Sequence, residues 1–166
     1  LRGFCGVDNE GQSGGLALFW NDQLSVEIKD KNNRMIDAYV RASPNDPLWH
    51  LTCVYGEPRT ENRHRIWSIM SQLRASSDLP WMLMGDFNEA LWQCEHLSAT
   101  PRPACQIAAF RDIVQDCELH DLAFSGAPFT YDNKRKGRAN VKVRLDRALA
   151  DDRWRDLFSD ARVVHL

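Results

Sequence analysis

Trp81-Met82-Leu83-Met84-Gly85-Asp86-Phe87-Asn88-Glu89 is the stretch from which the rest of the chain is best read. Four apolar residues stop at a glycine, and a carboxylate, an aromatic ring and an amide follow at once, as in a buried strand that delivers polar groups at its tip. In an extended backbone Asp86 and Asn88 point to one side and Phe87 to the other. A hard cation such as Mg²⁺ asks one or two such oxygens of a protein and otherwise keeps water and substrate phosphate. The plainer alternative is a turn after a buried strand, because Gly-Asp-x-Asn is also good turn chemistry.

Upstream, Gly14-Gly15-Leu16-Ala17-Leu18-Phe19-Trp20 is a glycine-led apolar run that predicts a buried strand ending in a turn at Asn21-Asp22. Leu24 to Asp30 alternates as a half-buried antiparallel strand does, and Met35 to Arg41 and Leu48 to Gly56 are two further strands. Four sequential strands with short turns predict a meander. From Thr60 to Ser76 the period changes: Ile66, Ile69, Met70 and Leu73 fall at helical spacing, with Arg59, Arg63, His64 and Arg65 crowding the first turns. Downstream, Ile107, Phe110, Val114 and Cys117 mark a second helix that starts near Pro101 and Pro103.

Phe129 to Asn133, a basic turn Lys134-Arg135-Lys136-Gly137-Arg138 and the alternating run Val141 to Asp146 predict a hairpin with a cationic tip. Asp151-Asp152-Arg153-Trp154 opens a short helix with acidic residues at its positive end. Ala161 to Val164 begins a last strand. Strands with segregated helices, and no regular strand-helix alternation, predict an α+β layered sandwich.

The 166 residues are the size of one domain, read here as a single partial domain over 1–166. A net charge of -2 excludes bulk attraction to nucleic acid, so any such contact must be a local patch. No apolar run is long enough to span a bilayer, and no membrane partner is expected. Five cysteines at irregular spacing favour reduced thiols and a nuclear or cytoplasmic setting. Cys94-Glu95-His96 and Cys117-Glu118-Leu119-His120 lack the spacing of a closed zinc site, and no zinc is expected. Leu1 is not a methionine, and nothing near it reads as a signal segment, so the chain looks cut from something longer.

Taken in order, Gly14 to Trp20, Val54-Tyr55-Gly56, Gly85-Asp86-Phe87-Asn88-Glu89, Phe129-Thr130-Tyr131 and Arg144-Leu145-Asp146-Arg147 resemble the endonuclease/exonuclease/phosphatase superfamily of DNase I, exonuclease III and the apurinic endonucleases. The chain looks most like the endonuclease domain of plant LINE-type non-LTR retrotransposons. The resemblance implies a four-layer α/β/β/α sandwich of two packed mixed sheets flanked by helices, incomplete at both termini. It also implies a Mg²⁺-dependent phosphodiesterase, with Mn²⁺ as an alternative metal, that nicks DNA beside the reverse transcriptase domain of the same polyprotein.

By the same resemblance Asp86 polarises the attacking water, Asn88 holds the phosphate or a metal-bound water, and both serve the metal. Tyr55 points its hydroxyl at the phosphate, although Pro58 stands one position further on than in the family pattern. Asp146 buttresses a catalytic histidine, against the plainer alternative of a salt bridge with Arg144 or Arg147. Thr130, Tyr131, Lys134, Arg135, Lys136, Arg138 and Arg144 form the expected DNA-binding set.

The family's metal-binding glutamate and an earlier asparagine belong to strands that Leu1 to Gly11 has neither the length nor the pattern to hold, and Asp8, Asn9 and Glu10 cannot take those roles. The family's histidine lies in a Ser-Asp-His motif that His165 does not match. Residues 1–166 alone are therefore expected to be a poor nuclease. The other readings are a superfamily phosphoesterase acting on inositol or lipid phosphates, and a non-catalytic remnant acting as an interaction module. A cationic hairpin tip favours a polynucleotide over the phosphoesterase substrates.

Overall fold

Alternation along the central strand sorts its two faces: Trp81 and Leu83 are buried on one side, and Met82 and Met84 turn to the other. In the computed structural model, which describes residues 3–8 and 15–165, the first five strands are β1 (Gly3–Val7), β2 (Leu16–Trp20), β3 (Ser25–Asn32), β4 (Met35–Arg41) and β5 (Trp49–Tyr55). Helix α1 (His64–Ser76), β6 (Trp81–Asp86), β7 (His96–Leu97) and α2 (Ala104–Asp116) follow. Then come β8 (His120–Asp121), β9 (Phe124–Gly126), β10 (Tyr131–Asp132), β11 (Lys142–Val143), β12 (Asp146–Ala150), α3 (Asp152–Leu157) and β13 (Val163–His165).

The main sheet has the order β3-β4-β5-β6-β12-β8 and is mixed, with β5 and β6 parallel and the other pairs antiparallel. On one face α1 and α2 lay Ile66, Met70, Phe110, Ile113 and Val114 against Val54, Trp81, Leu83, Phe87 and Leu149, the largest apolar core of the molecule. On the other face Leu18 of β2 packs with Val26, Ala38, Val40, Leu51 and Met82. The architecture is therefore mixed α+β with several packed sheets and few helices. Among the described residues no helix is long and apolar enough to cross a membrane.

The strands differ from the sequence expectation in several places, the short β7 and β8 among them. The meander has three members, β3, β4 and β5, because β2 pairs instead with β1, a strand in the first segment of the chain, where none was expected. The run Val141 to Asp146 is broken after Val143: β11 joins β10 and β7 in a small sheet, and β12 continues in the main one. The last strand, β13, pairs in parallel with β9, whose three residues carry too little periodicity to be read alone. Gly14, Asn9 and Glu10 lie outside the described residues.

Gly85 lets β6 lie close against β5 one residue before the strand ends. Its φ is +136°, and a Cβ there would lie 2.1 Å from the Val54 carbonyl oxygen. Gly85→Ala is expected to cost at least about 1–3 kcal/mol, from backbone strain alone. A urea melt with an unchanged midpoint would contradict this close approach of β5 and β6.

Candidate active site

Three strand ends form one row. Tyr55 of β5 stands opposite Asp86 of β6, and Asp86 stands opposite Asp146 of β12. Partners in register share a face, so the phenol and the two carboxylates lie side by side on the face that also carries Met82 and Met84. Residues far apart in sequence are thus brought to one edge of the sheet.

Asp86 is half-buried, and its carboxyl is pushed up to about 6, first by burial and then by the Asp146 carboxylate beside it. The Asn88 N–H and the Arg63 guanidinium keep it from rising further. The backbone does not stay extended through Asn88, as the alternation had implied. Asn88 has φ +55°, and its N–H donates to Asp86 Oδ1 at 2.7 Å, so the turn chemistry and the presentation of a carboxylate are one feature.

The loop after β5 is built against the loop after β6. Gly56 N–H donates to the Asp86 carbonyl at 2.6 Å, Asn88 Nδ2 donates to the Gly56 carbonyl at 2.9 Å, and a Cβ on Gly56 would sit 2.4 Å from the Phe87 carbonyl oxygen. Arg34 places its guanidinium 5.3 Å from the centre of the Tyr55 ring and pairs with Glu57 at 2.9 Å.

Asp146 is exposed at the start of β12, and the Thr130 hydroxyl fixes it there by accepting the N–H groups of Leu145 and Asp146, each at 3.0 Å. That hydroxyl faces the backbone, so Thr130 supports Asp146; in the expected DNA-binding set it has a structural part. Tyr131 is exposed.

Lys134, Arg135, Lys136 and Arg138 are exposed on the segment between β10 and β11. The segment is ordered from within: Asp132 accepts from Lys134 N–H at 2.8 Å and Asn140 Nδ2 at 2.8 Å, and Asn133 Oδ1 accepts from the N–H groups of Arg135 and Val141, each at 3.1 Å. The Lys134 N–H bond leads the interactions that draw the Asp132 carboxyl down to about 2.

Arg144 is not where the expectation put it. It is 3% exposed, donates to Asp121 at 2.6 and 2.9 Å and to Glu95 at 3.0 Å, and lies over the Phe124 ring. Arg147 shares both carboxylates. A guanidinium buried with both terminal nitrogens on carboxylates is not presented to a phosphate, and the alternative pairing of these arginines with Asp146 gives way to Glu95 and Asp121. The Nδ1 atom of His165 lies 2.7 Å from the Ala127 carbonyl and its ring stacks on Phe124, contacts set by the β9–β13 pairing.

Sequence reasoning missed the carboxylates and guanidiniums that hold these elements: Glu89, Arg63 and Arg102 behind the row, and Glu95 and Asp121 beneath β12. Their only local signal was charge, which looks the same on a solvated face. Among the described residues no group of three or more His, Cys, Asp or Glu side chains is placed to hold a metal ion. Asp86, Asn88 and Asp146 still fit a hydrated hard cation in donor chemistry, since Mg²⁺ needs only one or two protein oxygens and the two neighbouring carboxylates make the spot electronegative.

A family profile described as the endonuclease/exonuclease/phosphatase family matches residues 3–165. The endonuclease domain of TRAS1, a telomere-specific non-LTR retrotransposon, is similar in fold, with a TM-score of 0.68 at 19% identity over 95% of this chain and 71% of that one. The AP endonuclease LMAP from Leishmania major has a TM-score of 0.53 at 18% identity, over 75% of this chain and 47% of its own. TDP2 from C. elegans has 0.51 at 15%, over 90% and 47%. The chain thus spans about half the length of these last two. No curated protein sequence matches this chain significantly.

Proposed function

The chain belongs to the endonuclease/exonuclease/phosphatase family, and from that premise we propose that it hydrolyses phosphodiester bonds in DNA, nicking one strand as the endonuclease part of a non-LTR retrotransposon polyprotein. The observation that carries this is the row Tyr55–Asp86–Asp146 at one sheet edge, with Asn88 folded back against Asp86. The partners proposed with it are DNA and the polyprotein's reverse transcriptase domain, in a reducing nuclear or cytoplasmic setting.

In this reading Asp86 orients the attacking water and accepts its proton, and a carboxyl that titrates near 6 is a better base at neutral pH than an ordinary aspartate. Asn88, its Nδ2 anchored on the Gly56 carbonyl, would offer its side-chain Oδ1 to a metal ion. The Tyr55 hydroxyl serves a phosphate oxygen, and Asp146 orients a proton carrier. Mg²⁺ or Mn²⁺, held by Asp86 and Asn88, would supply counter-charge for the phosphate and the departing oxygen.

The test is nicking of supercoiled plasmid, with the chain assayed alone and with its reading frame extended at each end. Open circles whose ends a polymerase can extend are expected from the extended version, with far fewer from residues 1–166 alone. Release of inorganic phosphate from inositol phosphates, with plasmid left intact, would favour the phosphoesterase reading instead.

The exposed tip separates these substrates by charge. Neutralising Lys134, Arg135, Lys136 and Arg138 together is expected to weaken binding to duplex DNA and flatten its salt dependence by about 0.9 in slope for each phosphate that the tip no longer neutralises. A salt titration with unchanged slope would remove the tip from the DNA interface.

A further inference from the structure

Behind the row lies a carboxylate that substrate cannot reach. Glu89 is 1% exposed; its Oε2 is bonded to Arg63 Nη1, and its Oε1 lies 2.8 Å from Arg102 Nε and accepts the Ala90 N–H at 3.0 Å. With both oxygens committed, Glu89 has nothing left for a metal ion or a water. Although it directly follows Asn88, it stands apart from the chemistry.

Its two partners reach in different directions. Arg63, 7% exposed, donates from Nε to the Glu57 carbonyl at 3.1 Å and from Nη2 to the Pro58 carbonyl at 3.2 Å. Its own carbonyl accepts the Ile66 and Trp67 N–H groups at the start of α1, so its backbone is tied to the helix that packs on the core. Arg102 donates from Nη2 to the Asn88 carbonyl at 3.3 Å. One buried carboxylate therefore connects the loop that follows Tyr55 to the loop that follows Asp86.

We propose that Arg63, Glu89 and Arg102 act as a positioning clamp, holding the Gly56–Pro58 loop against the Asn88 turn and so setting the distance between Tyr55 and the Asp86–Asn88 pair. For its functional consequence the clamp rests on the phosphodiesterase reading above; as a structural device it does not. Stability alone is a poor reason for this cluster, because apolar residues of similar volume often replace a buried ion pair without destabilising the fold. What a guanidinium adds is a rigid fork of donors that fixes several acceptors at once.

Amide hydrogen exchange in the free protein reads the clamp without any need for catalysis. In Arg63→Met the N–H groups of Gly56 and Asn88, both bonded to Asp86, are expected to exchange faster by about tenfold or more beyond whatever acceleration loss of global stability gives Leu83 and Leu149 in the core ladder. Arg63→Lys keeps the charge without the fork and is expected to behave like Arg63→Met; a purely electrostatic role would be rescued by it. Arg102→Met, at a half-buried site, should speed Asn88 more than Gly56.

In the nicking assay Arg63→Lys is expected to lower kcat by about 10²-fold, the effect of misplacing reacting groups by about 1 Å, with KM nearly constant. Unchanged exchange at Gly56 and Asn88, or equal acceleration at all amides, would overturn the clamp. If the exchange pattern holds and no variant nicks DNA, the clamp stands and the catalytic reading is the one that fails.

Discussion

Asp86→Asn is expected to lose nicking activity by about 10²- to 10⁴-fold, the range for removing a general base, and at the same time to melt at a higher temperature than the unmodified chain at pH 7. The loss follows because an amide cannot accept the proton of the attacking water, although its carbonyl oxygen would still accept the Asn88 N–H that the Asp86 carboxylate accepts at 2.7 Å. The gain follows from the raised carboxyl. A group whose pKa is about 6 in the folded chain and 3.8 as its ordinary value binds its proton more tightly when folded. Its ionisation therefore opposes folding above pH 6, and stability rises as pH falls from about 6 toward about 4.

At pH 7 the full shift would correspond to about 3 kcal/mol, and partial solvent access to this half-buried group reduces that to about 1–2. Thermal melts in metal-free buffer should show the variant ahead at pH 7.5 and level with the unmodified chain at pH 4. Nicking at an undiminished rate would remove Asp86 from the chemistry. A stability difference that persists at pH 4 would show that the gain has another source. Strain of this kind, tolerated where function needs it, is common at active sites.

Arg147→Ala is the substitution expected to cost the most stability, about 3–5 kcal/mol, because it removes one partner from a buried ionic cluster. The Arg147 side chain is 0% exposed and meets Glu95 at 2.8 Å, Asp121 at 3.2 Å and the Arg144 carbonyl at 3.1 Å. Arg144 shares both carboxylates, so two positive and two negative groups balance. Without Arg147 one guanidinium faces two half-buried carboxylates, a large loss against a typical total of about 5–15 kcal/mol. Because these groups tie β8 and the start of β7 to β12, the damage should reach Asp146 as well.

The cluster also sets an acid limit. Burial works against ionisation of Glu95, yet the bond and charge of Arg147, with Arg144 behind it, hold its carboxyl below the usual value. A depressed carboxyl contributes stability above its ordinary pKa and loses it as pH falls through the lower folded value, the opposite sign to Asp86. Urea melts of Arg147→Ala, and of Arg147→Met, Glu95→Met and the double Arg147→Met/Glu95→Met, check the argument. The double variant should cost less than the sum of its single changes, and strict additivity would show that the pair is not coupled.

Residues 81–89 show where the sequence was sufficient. Trp81 and Leu83 against Met82 and Met84 and the stop at Gly85 are local properties, written in side-chain alternation and in φ preference, and they were legible without any partner, whereas the turn at Asp86 and Asn88 stood only as the plainer alternative to an extended backbone. The stripes Ile66–Met70 and Ile107–Phe110–Val114 were legible for the same reason, since a helix repeats within its own few turns. Strands of two or three residues, such as β8, β9 and β11, were not, because so short an element has no period to detect.

The candidate site divides along the same line. Asp86, Asn88, Tyr55 and Asp146 could be named from motifs, and the exposed cations at 134–138 from charge alone. That Tyr55, Asp86 and Asp146 share one row depends on two registers, β5 with β6 and β6 with β12, and a slip of one residue in either would turn a side chain to the opposite face. Which charges are buried is likewise a property of partners that lie far away in sequence. Arg144 read as a DNA contact and Arg63 as one of four basic residues crowding a helix start, whereas Asp121, Glu95 and Glu89 close around them. Sequence by itself determined the elements and the chemical groups at their ends, because those rest on short-range periodicity and turn geometry; tertiary structure alone decided which groups meet and which are withdrawn from water, because desolvation and ion pairing are set by contacts between distant segments.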